Sequence, residues 1–403
     1  MGVLRQRILL AAMTASMLMV SSCVDEKEGS LFDPNRTFGA APVLTAISPP
    51  DSAQAGVDTL AITGSNFSTF TGDNVVFFNA TPAALMQSTA TQLTMKAPFV
   101  LGDSVLVRVA VRGSDVLSNG LTYRLQAAIT SFGLLGQDDL ANALITDAAG
   151  DAYVSVSVGG TGQGIKKILS DGSVTAYASD TTGVTGWNSL KFGPGGYLYA
   201  ARGIRAIYRF MPGGGAAAVL WTSFPSGVTI NDIDFDQNQI LWAAGSNTTN
   251  INNARVYSVS QTPTTKSFPF AASVRSVRVF NSSLYMAAFK DSAWGIWRAP
   301  ISADSIGTPE LYFAFEASFP PGYIPQALTF AANGTLYIAT NAPDGFVLVT
   351  PSKAAVTPYS DYQGLFGTSV RFLAWGPGLN LFATTAEGVL FKLNARTTGA
   401  PYY

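Results

Sequence analysis

The chain has 403 residues, which is too long for one ordinary domain but short for three large ones. Its 24 basic and 25 acidic residues nearly cancel, so there is no overall positive charge to attract nucleic acid. It contains no histidine and a single cysteine, Cys23, which excludes an intrachain disulfide, a thiolate zinc site and a histidine general base.

The first segment, residues 1–22, predicts an export signal. Arg5 and Arg7 precede an apolar run, 8–20, that is short for a membrane span. Residues 20–23 (VSSC) resemble the lipobox of bacterial lipoproteins. The resemblance implies cleavage before Cys23 and acylation of that cysteine. The alternative is an ordinary secreted protein whose one cysteine lies at this position.

The next segment, residues 23–42, is predicted to be a tether. Its start, 24–28 (VDEKE), resembles the acidic signal that sends Bacteroidota lipoproteins to the outer leaflet of the outer membrane, although any solvated linker carries similar charges. The remainder, 29–42, has the composition of a flexible spacer. We therefore expect a protein that is lipid-anchored in the cell outer membrane and exposed at the surface.

Residues 43–125 predict a small β-sandwich. The segment contains LAITGSNF at 60–67, VVFFNATPAA at 75–84, alternating valines at 105–111 and a closing LTY at 121–123. These motifs resemble the IPT/TIG family, which implies an immunoglobulin-like sandwich of about seven strands. The resemblance implies a spacer or interaction module, and we assign no chemistry to it.

Residues 127–403 carry a strand pair that recurs six times. Its copies, aligned on one apolar anchor residue each, are spaced by 46, 43, 44, 51 and 45 residues. A period of about 40–50 residues made of short strands and turns is typical of a β-propeller. The anchors are Leu144, Leu190, Ile233, Val277, Leu328 and Leu373.

The repeat has Asp-x-x-Gly or Asn-Gly turns before Leu-Tyr-Ala strands, and it resembles NHL-type and gluconolactonase-like six-bladed propellers. That resemblance implies the fold only, because propellers of this type include binding proteins, lactonases, lyases and scaffolds. The predicted fold class is therefore all-β, an IPT/TIG sandwich followed by a six-bladed β-propeller. The stretch 127–132 (AAITSF) matches a fourth strand and is expected to close the ring in the last blade, in competition with 400–403 (APYY).

A polar residue lies two positions before every anchor and predicts a ring at the mouth of the central channel. Amides and guanidinium groups suit ligands that carry hydroxyl or carboxylate groups, sugars among them. Alternatively, the ring satisfies its own hydrogen bonds together with trapped water. The six candidates are Asn142, Asn188, Asn231, Arg275, Gln326 and Arg371.

Two tryptophans are further candidates for contact with a ligand. Trp187 and Trp294 fall at predicted loop positions on the same face as the ring, where an exposed indole would stack on a sugar. The alternative is that each ring packs against a neighbouring blade.

The leading functional hypothesis is a non-catalytic surface lipoprotein that binds a glycan or another polar ligand at the channel face. It resembles Bacteroidota surface glycan-binding proteins. A protein-interaction scaffold in an outer-membrane assembly is one alternative, and a propeller lactonase or lyase is another. We predict no catalytic residue, no metal site and no cofactor, because the ring lacks a carboxylate and Asp232 is one position out of register.

Overall fold

The structure, a computed structural model, describes residues 37–136, 138–179, 186–366, 369–385 and 387–403. The predicted signal peptide 1–22, Cys23 and the tether up to residue 36 lie outside the described residues. Within the described part of the chain, no helix is long and apolar enough to cross a membrane. The short helices are Phe315–Ser318 and Gln363–Phe366, with 3₁₀ turns at Thr71–Asp73, Pro194–Gly196, Ile251–Asn253 and Ser360–Tyr362.

The first domain is a sandwich of two sheets. Its core consists of inward-facing positions such as Val105, Val107 and Val109, which are at most 1% exposed and alternate with outward-facing residues as period-two patterning requires. One sheet contains Val43–Ser48, Thr59–Ser65, Gln92–Lys96 and Leu85–Ser88 in spatial order. The other contains Ser52–Gln54, Leu121–Gln126, Gly102–Val111, Asn74–Phe78 and Thr81–Ala83.

The second domain contains six sheets, each an antiparallel arrangement of four main strands, which we number as blades I to VI. Blade I contains Leu140–Thr146, Ala152–Val158, Thr161–Ile168 and Val174–Ala178. Blade II contains Trp187–Phe192, Leu198–Arg202, Ala206–Phe210 and Val219–Ser223. Blade III contains Val228–Phe235, Leu241–Asn247, Arg255–Val259 and Thr265–Pro269.

The remaining blades follow the same plan. Blade IV contains Ser273–Phe280, Ser283–Lys290, Ala293–Ser302 and Glu310–Phe313, with a short extra strand at Ser305–Ile306. Blade V contains Pro325–Phe330, Leu336–Thr340, Phe346–Val349 and Ala355–Val356. Blade VI contains Val370–Trp375, Asn380–Thr385 and Val389–Asn394, and its fourth strand is Ile129–Leu134.

The blades close into a ring. Ile129–Leu134 pairs antiparallel with Val389–Asn394, so the beginning of the domain completes the last blade. The first strand of each blade contacts the first strand of the next, and that of blade VI contacts that of blade I. The six-bladed prediction is therefore confirmed. Ala400–Tyr403 forms no strand and takes no part in the closure.

Aromatic contacts hold neighbouring blades together. Tyr153 on the second strand of blade I packs edge-to-face on Phe192 of blade II, with ring centroids 5.0 Å apart. Tyr199 of blade II packs in the same way on Phe235 of blade III, also at 5.0 Å. Each edge-to-face pair adds about 0.5–1.5 kcal/mol to the stabilisation from burial. The recurring aromatic residue of the sequence repeat is therefore a packing element between blades.

The sandwich contacts the propeller at the end where the third strand of blade VI terminates. Gln54 Nε2 donates to the carbonyl of Asn394 at 2.7 Å. The Tyr362 hydroxyl accepts from the Ala128 amide at 2.7 Å and donates to the Ala55 carbonyl at 3.0 Å. First and third strands of a blade run in the same direction, so these contacts lie opposite the end at which the first strands begin.

Candidate functional site

The first strand of every blade contains a β-bulge near its beginning. In blade I, Ala141 pairs with Val156 and Ala143 with Ser155, which leaves Asn142 as the extra residue. A bulge leaves one residue outside the ladder and redirects its side chain. The extra residues of the six blades are Asn142, Asn188, Asn231, Arg275, Gln326 and Arg371.

These side chains surround one basin at the mouth of the channel. All of the predicted ring residues line it, together with Ser273 and Phe372. Its volume is about 320 Å³, at the lower end of the roughly 300–1,000 Å³ that small-molecule sites occupy. Arg275 is exposed and the other ring residues are half-buried. The structure thus brings the predicted ring together, while its role in ligand binding remains a prediction.

The ring uses only part of its hydrogen-bonding capacity internally. Arg275 Nη1 donates to Gln326 Oε1 at 2.8 Å, Asn231 Nδ2 to the Val274 carbonyl at 2.7 Å, and Asn142 Nδ2 to Ser157 Oγ at 2.8 Å. Asn188 and Arg371 form no hydrogen bond with any other described residue. Donors and acceptors therefore remain available inside the basin.

The layer beneath the ring links neighbouring blades. Asp232 Oδ1 accepts from Ser189 Oγ at 2.5 Å, and Oδ2 accepts from Ser276 Oγ and the Val277 amide, both at 2.8 Å. Burial raises the pKa of Asp232, and Lys191 and these hydrogen bonds oppose that increase. Asp232 is one position out of register with the ring, and its carboxylate instead bridges blades II, III and IV.

A third layer of charge lies below. Asp234 Oδ2 accepts from Arg278 Nη1 at 2.7 Å, and Lys191 Nζ lies 3.6 Å from Oδ1. Burial disfavours the charge on Lys191, but Asp234 and Tyr402 raise its pKa above the ordinary value overall. Tyr402 covers this layer, with its ring 4.1 Å from the Arg278 guanidinium and 4.7 Å from Lys191 Nζ. Residues 400–402 thus cover the buried charges at the lower end of the channel.

The two tryptophan candidates have different positions. Trp187 is 1% exposed and packs against Tyr208 and Phe210 at centroid distances of 5.3 and 5.4 Å. The prediction that Trp187 offers a stacking surface is wrong, because the residue begins a first strand and its ring lies in the core between blades. Trp294 is half-buried beside the basin, with its ring 5.3 Å from the Arg275 guanidinium.

The lining favours hydroxyl groups and anions over cations. Among the described residues that line the basin there is no carboxylate. In the described ranges, no group of three or more His, Cys, Asp and Glu side chains is arranged to hold a metal ion. Amides and guanidinium groups are instead donors and neutral acceptors.

Comparisons with known proteins found a family model that matches the first domain and solved structures that share the fold. Residues 42–125 match the family model of the IPT/TIG domain. An auxiliary nutrient binding protein from Bacteroides thetaiotaomicron superposes with a TM-score of 0.52 at 12% identity, covering 90% of this chain and 98% of that one. A gluconolactonase from Xanthomonas campestris superposes with a TM-score of 0.51 at 14% identity, covering 73% of this chain and 90% of that one. No curated protein sequence matches the chain. At these identities the structural similarity shows the fold alone.

Proposed function

We propose that this protein is a lipid-anchored protein of the outer-membrane surface whose propeller basin binds a glycan without catalysing a reaction. One observation carries the proposal. Six side chains, one from each blade, are placed by a β-bulge around a single basin.

The chemistry of the basin supports a ligand rich in hydroxyl groups. An amide side chain offers both a donor and an acceptor, which matches the dual character of a sugar hydroxyl. Asn188 is half-buried and makes no hydrogen bond within the described structure, and Gln326 uses its oxygen for Arg275 while its amino group remains available. Trp294 lies at the rim, where an aromatic face would pack on a sugar ring.

The orientation of the domains supports a role in presentation. The sandwich contacts the propeller through Gln54 and Ala55, at the end opposite the basin. The predicted lipid at Cys23 precedes the sandwich in the chain. The basin therefore faces away from the sandwich that separates it in sequence from the anchor.

The fold does not decide between binding and catalysis. It is shared with a protein described as nutrient-binding and with a gluconolactonase. A lactonase-type site would require carboxylates to hold a divalent cation, whereas this lining carries amides and two arginines. The nearest carboxylate below the ring, Asp232, already accepts hydrogen bonds from three blades.

The proposed binding is tested by probing the purified protein against an array of polysaccharides. We expect at least one glycan to bind. The double variant Asn188→Ala with Gln326→Ala should weaken that binding roughly tenfold or more, because each lost hydrogen bond contributes about 0.5–1.5 kcal/mol. Gln87→Ala, which removes an exposed amide of the sandwich, should leave affinity unchanged. Absence of binding across the array would contradict the proposal.

The proposed anchor is tested separately. Cys23→Ala should abolish incorporation of labelled fatty acid and release the protein from the membrane fraction, because multiple acyl chains at this residue are needed for stable attachment. Protease treatment of intact cells then tests surface exposure. Unchanged membrane retention of the Cys23→Ala protein would contradict lipid anchoring without bearing on the basin.

A further inference from the structure

The basin carries two positive charges without a salt-bridge partner in the described part of the chain. Arg275 of blade IV and Arg371 of blade VI both line it, and none of the described residues that line it is acidic. Within the described structure neither guanidinium forms an ion pair. Arg275 makes one hydrogen bond, to Gln326, and lies over Trp294. Most donors of both forks are therefore free to receive a ligand.

The nearby carboxylates have other roles. Asp232 accepts from Ser189, Ser276 and two backbone amides and senses the charge of Lys191, so it belongs to the contacts between blades. Glu387 is exposed and raises the pKa of Arg371 from a distance, without forming an ion pair to it. Among the described residues, neither carboxylate forms a salt bridge with Arg275 or Arg371, although the charge of Glu387 favours the charged form of Arg371.

The arginines are arranged at a cost that an anion would offset. Although Arg275 is exposed overall, partial desolvation of its guanidinium lowers its pKa, and the charge of Arg371 lowers it further. Burial also lowers the pKa of Arg371. The charge of Arg371 disfavours the charged form of Arg275 in the unliganded basin, and a bound anionic group would offset both this repulsion and the desolvation of the guanidinium groups.

We infer that the basin binds an acidic saccharide, with an anionic oxygen group contacting Arg275 and Arg371 and the sugar hydroxyls contacting the amides of the ring. The inference rests on the proposed function and narrows its ligand class. A guanidinium fork matches the planar oxygens of a carboxylate, and it also pairs with a sulfate ester. The two arginines lie on blades IV and VI, while Asn142, Asn188 and Asn231 occupy blades I to III, so the ring has a charged side and a neutral side.

The test compares acidic saccharides with matched neutral ones by isothermal titration. The probes are a galacturonic acid oligosaccharide and its methyl ester, and chondroitin oligosaccharides with and without sulfate. We expect an acidic probe to bind at least tenfold more tightly than its matched form lacking that charge. The galacturonic acid pair reports on the carboxylate and the chondroitin pair on the sulfate. Increasing salt should weaken the binding of the acidic probe more than the binding of its matched form.

Variants assign the effect to the two arginines. Arg275→Gln and Arg371→Gln should each weaken the acidic probe by roughly 10- to 100-fold, because a hydrogen bond to a charged group contributes about 1.5–3 kcal/mol. Arg275→Lys and Arg371→Lys keep the positive charge without the planar guanidinium, so they should lose less affinity for the acidic probe than the glutamine variants do. Arg112→Gln, on the exposed surface of the sandwich, should change affinity less than twofold. Urea unfolding of each variant confirms that the propeller remains folded.

The outcomes distinguish glycan binding by the basin from a preference for acidic saccharides. A protein that binds neutral glycans on the array but prefers no acidic probe, or whose arginine variants retain affinity, overturns this inference and leaves the proposed function intact. A protein that binds no saccharide at all overturns both.

Discussion

Replacing Asp234 with alanine is expected to lower the free energy of unfolding of the propeller by about 3–5 kcal/mol. Asp234 is 1% exposed, and one of its oxygens accepts from Arg278 Nη1 and from the Val279 amide, both at 2.7 Å. Arg278 is fully buried, and Lys191 lies 3.6 Å from the other oxygen. The substitution leaves the buried Arg278 guanidinium without its carboxylate partner, and it removes one of the two carboxylates, Asp234 and Asp232, that favour the charge on Lys191. This costs far more than the loss of an exposed ion pair.

Urea unfolding followed by tryptophan fluorescence measures this effect, because all six tryptophans lie in the propeller, from Trp187 onward. Asp291→Asn neutralises an exposed partner of Lys290, keeps a residue type that tolerates the left-handed backbone at this turn, and should change stability by less than about 0.5 kcal/mol. The double variant Asp234→Leu with Arg278→Met should lose less free energy of unfolding than the two single variants together, since position 278 then carries no unpaired cation. Equal stability of Asp234→Ala and wild type would contradict the role assigned to this layer.

The second large effect is expected from Tyr402→Ala, which should destabilise the propeller by about 2–4 kcal/mol. The Tyr402 ring lies against Arg278 and Lys191, and its hydroxyl accepts from the Trp375 amide at 3.1 Å. The adjacent carbonyls of Ala400 and Pro401 accept from Arg278 Nη2 at 3.0 and 2.8 Å. Loss of the ring removes aromatic contacts and admits water to the buried charges.

The matched control is Tyr403→Ala, which alters a residue that is 40% exposed and should change stability by less than about 1 kcal/mol. The same urea titration compares both variants with wild type. If Tyr402→Ala and Tyr403→Ala behaved alike, the segment would not act as a cover of the buried charges.

The architecture was predictable because the repeat is a direct consequence of blade packing. Each blade needs an apolar anchor on its first strand and an aromatic residue on its second, and pairs such as Tyr153 with Phe192 show why the spacing recurs. The polar ring was predictable for the same reason, because it keeps a constant offset from the anchor. This offset predicts which six residues meet at the mouth of the channel. It does not predict the backbone conformation that places them there.

The bulges could not be predicted, because an extra residue such as Asn142 leaves no mark in a period-two pattern. The position of Ala400–Tyr403 also depends on tertiary contacts that cross the whole domain, from Ala400 to Arg278 and from Tyr402 to Trp375. The prediction that Trp187 lies at an exposed loop position was wrong because its strand begins at this residue, earlier than the repeat indicates.

One signal in the sequence was present and not used. Lys191, Asp234 and Arg278 each lie one position after the anchor in three successive repeats. Charged residues at equivalent positions of adjacent inner strands meet in the channel, and opposite charges there predict a buried ion-pair cluster. The two offsets from the anchor, two positions before it and one position after it, therefore predict both the polar ring and the buried ion-pair cluster.

A crystal structure of the protein with the saccharide that binds best tests the central claim most directly. The account predicts the saccharide in the basin, within hydrogen-bonding distance of bulge residues from at least three blades, among them Arg275 or Arg371. A saccharide bound to the outer strands or to the sandwich, with the basin unoccupied, would contradict it.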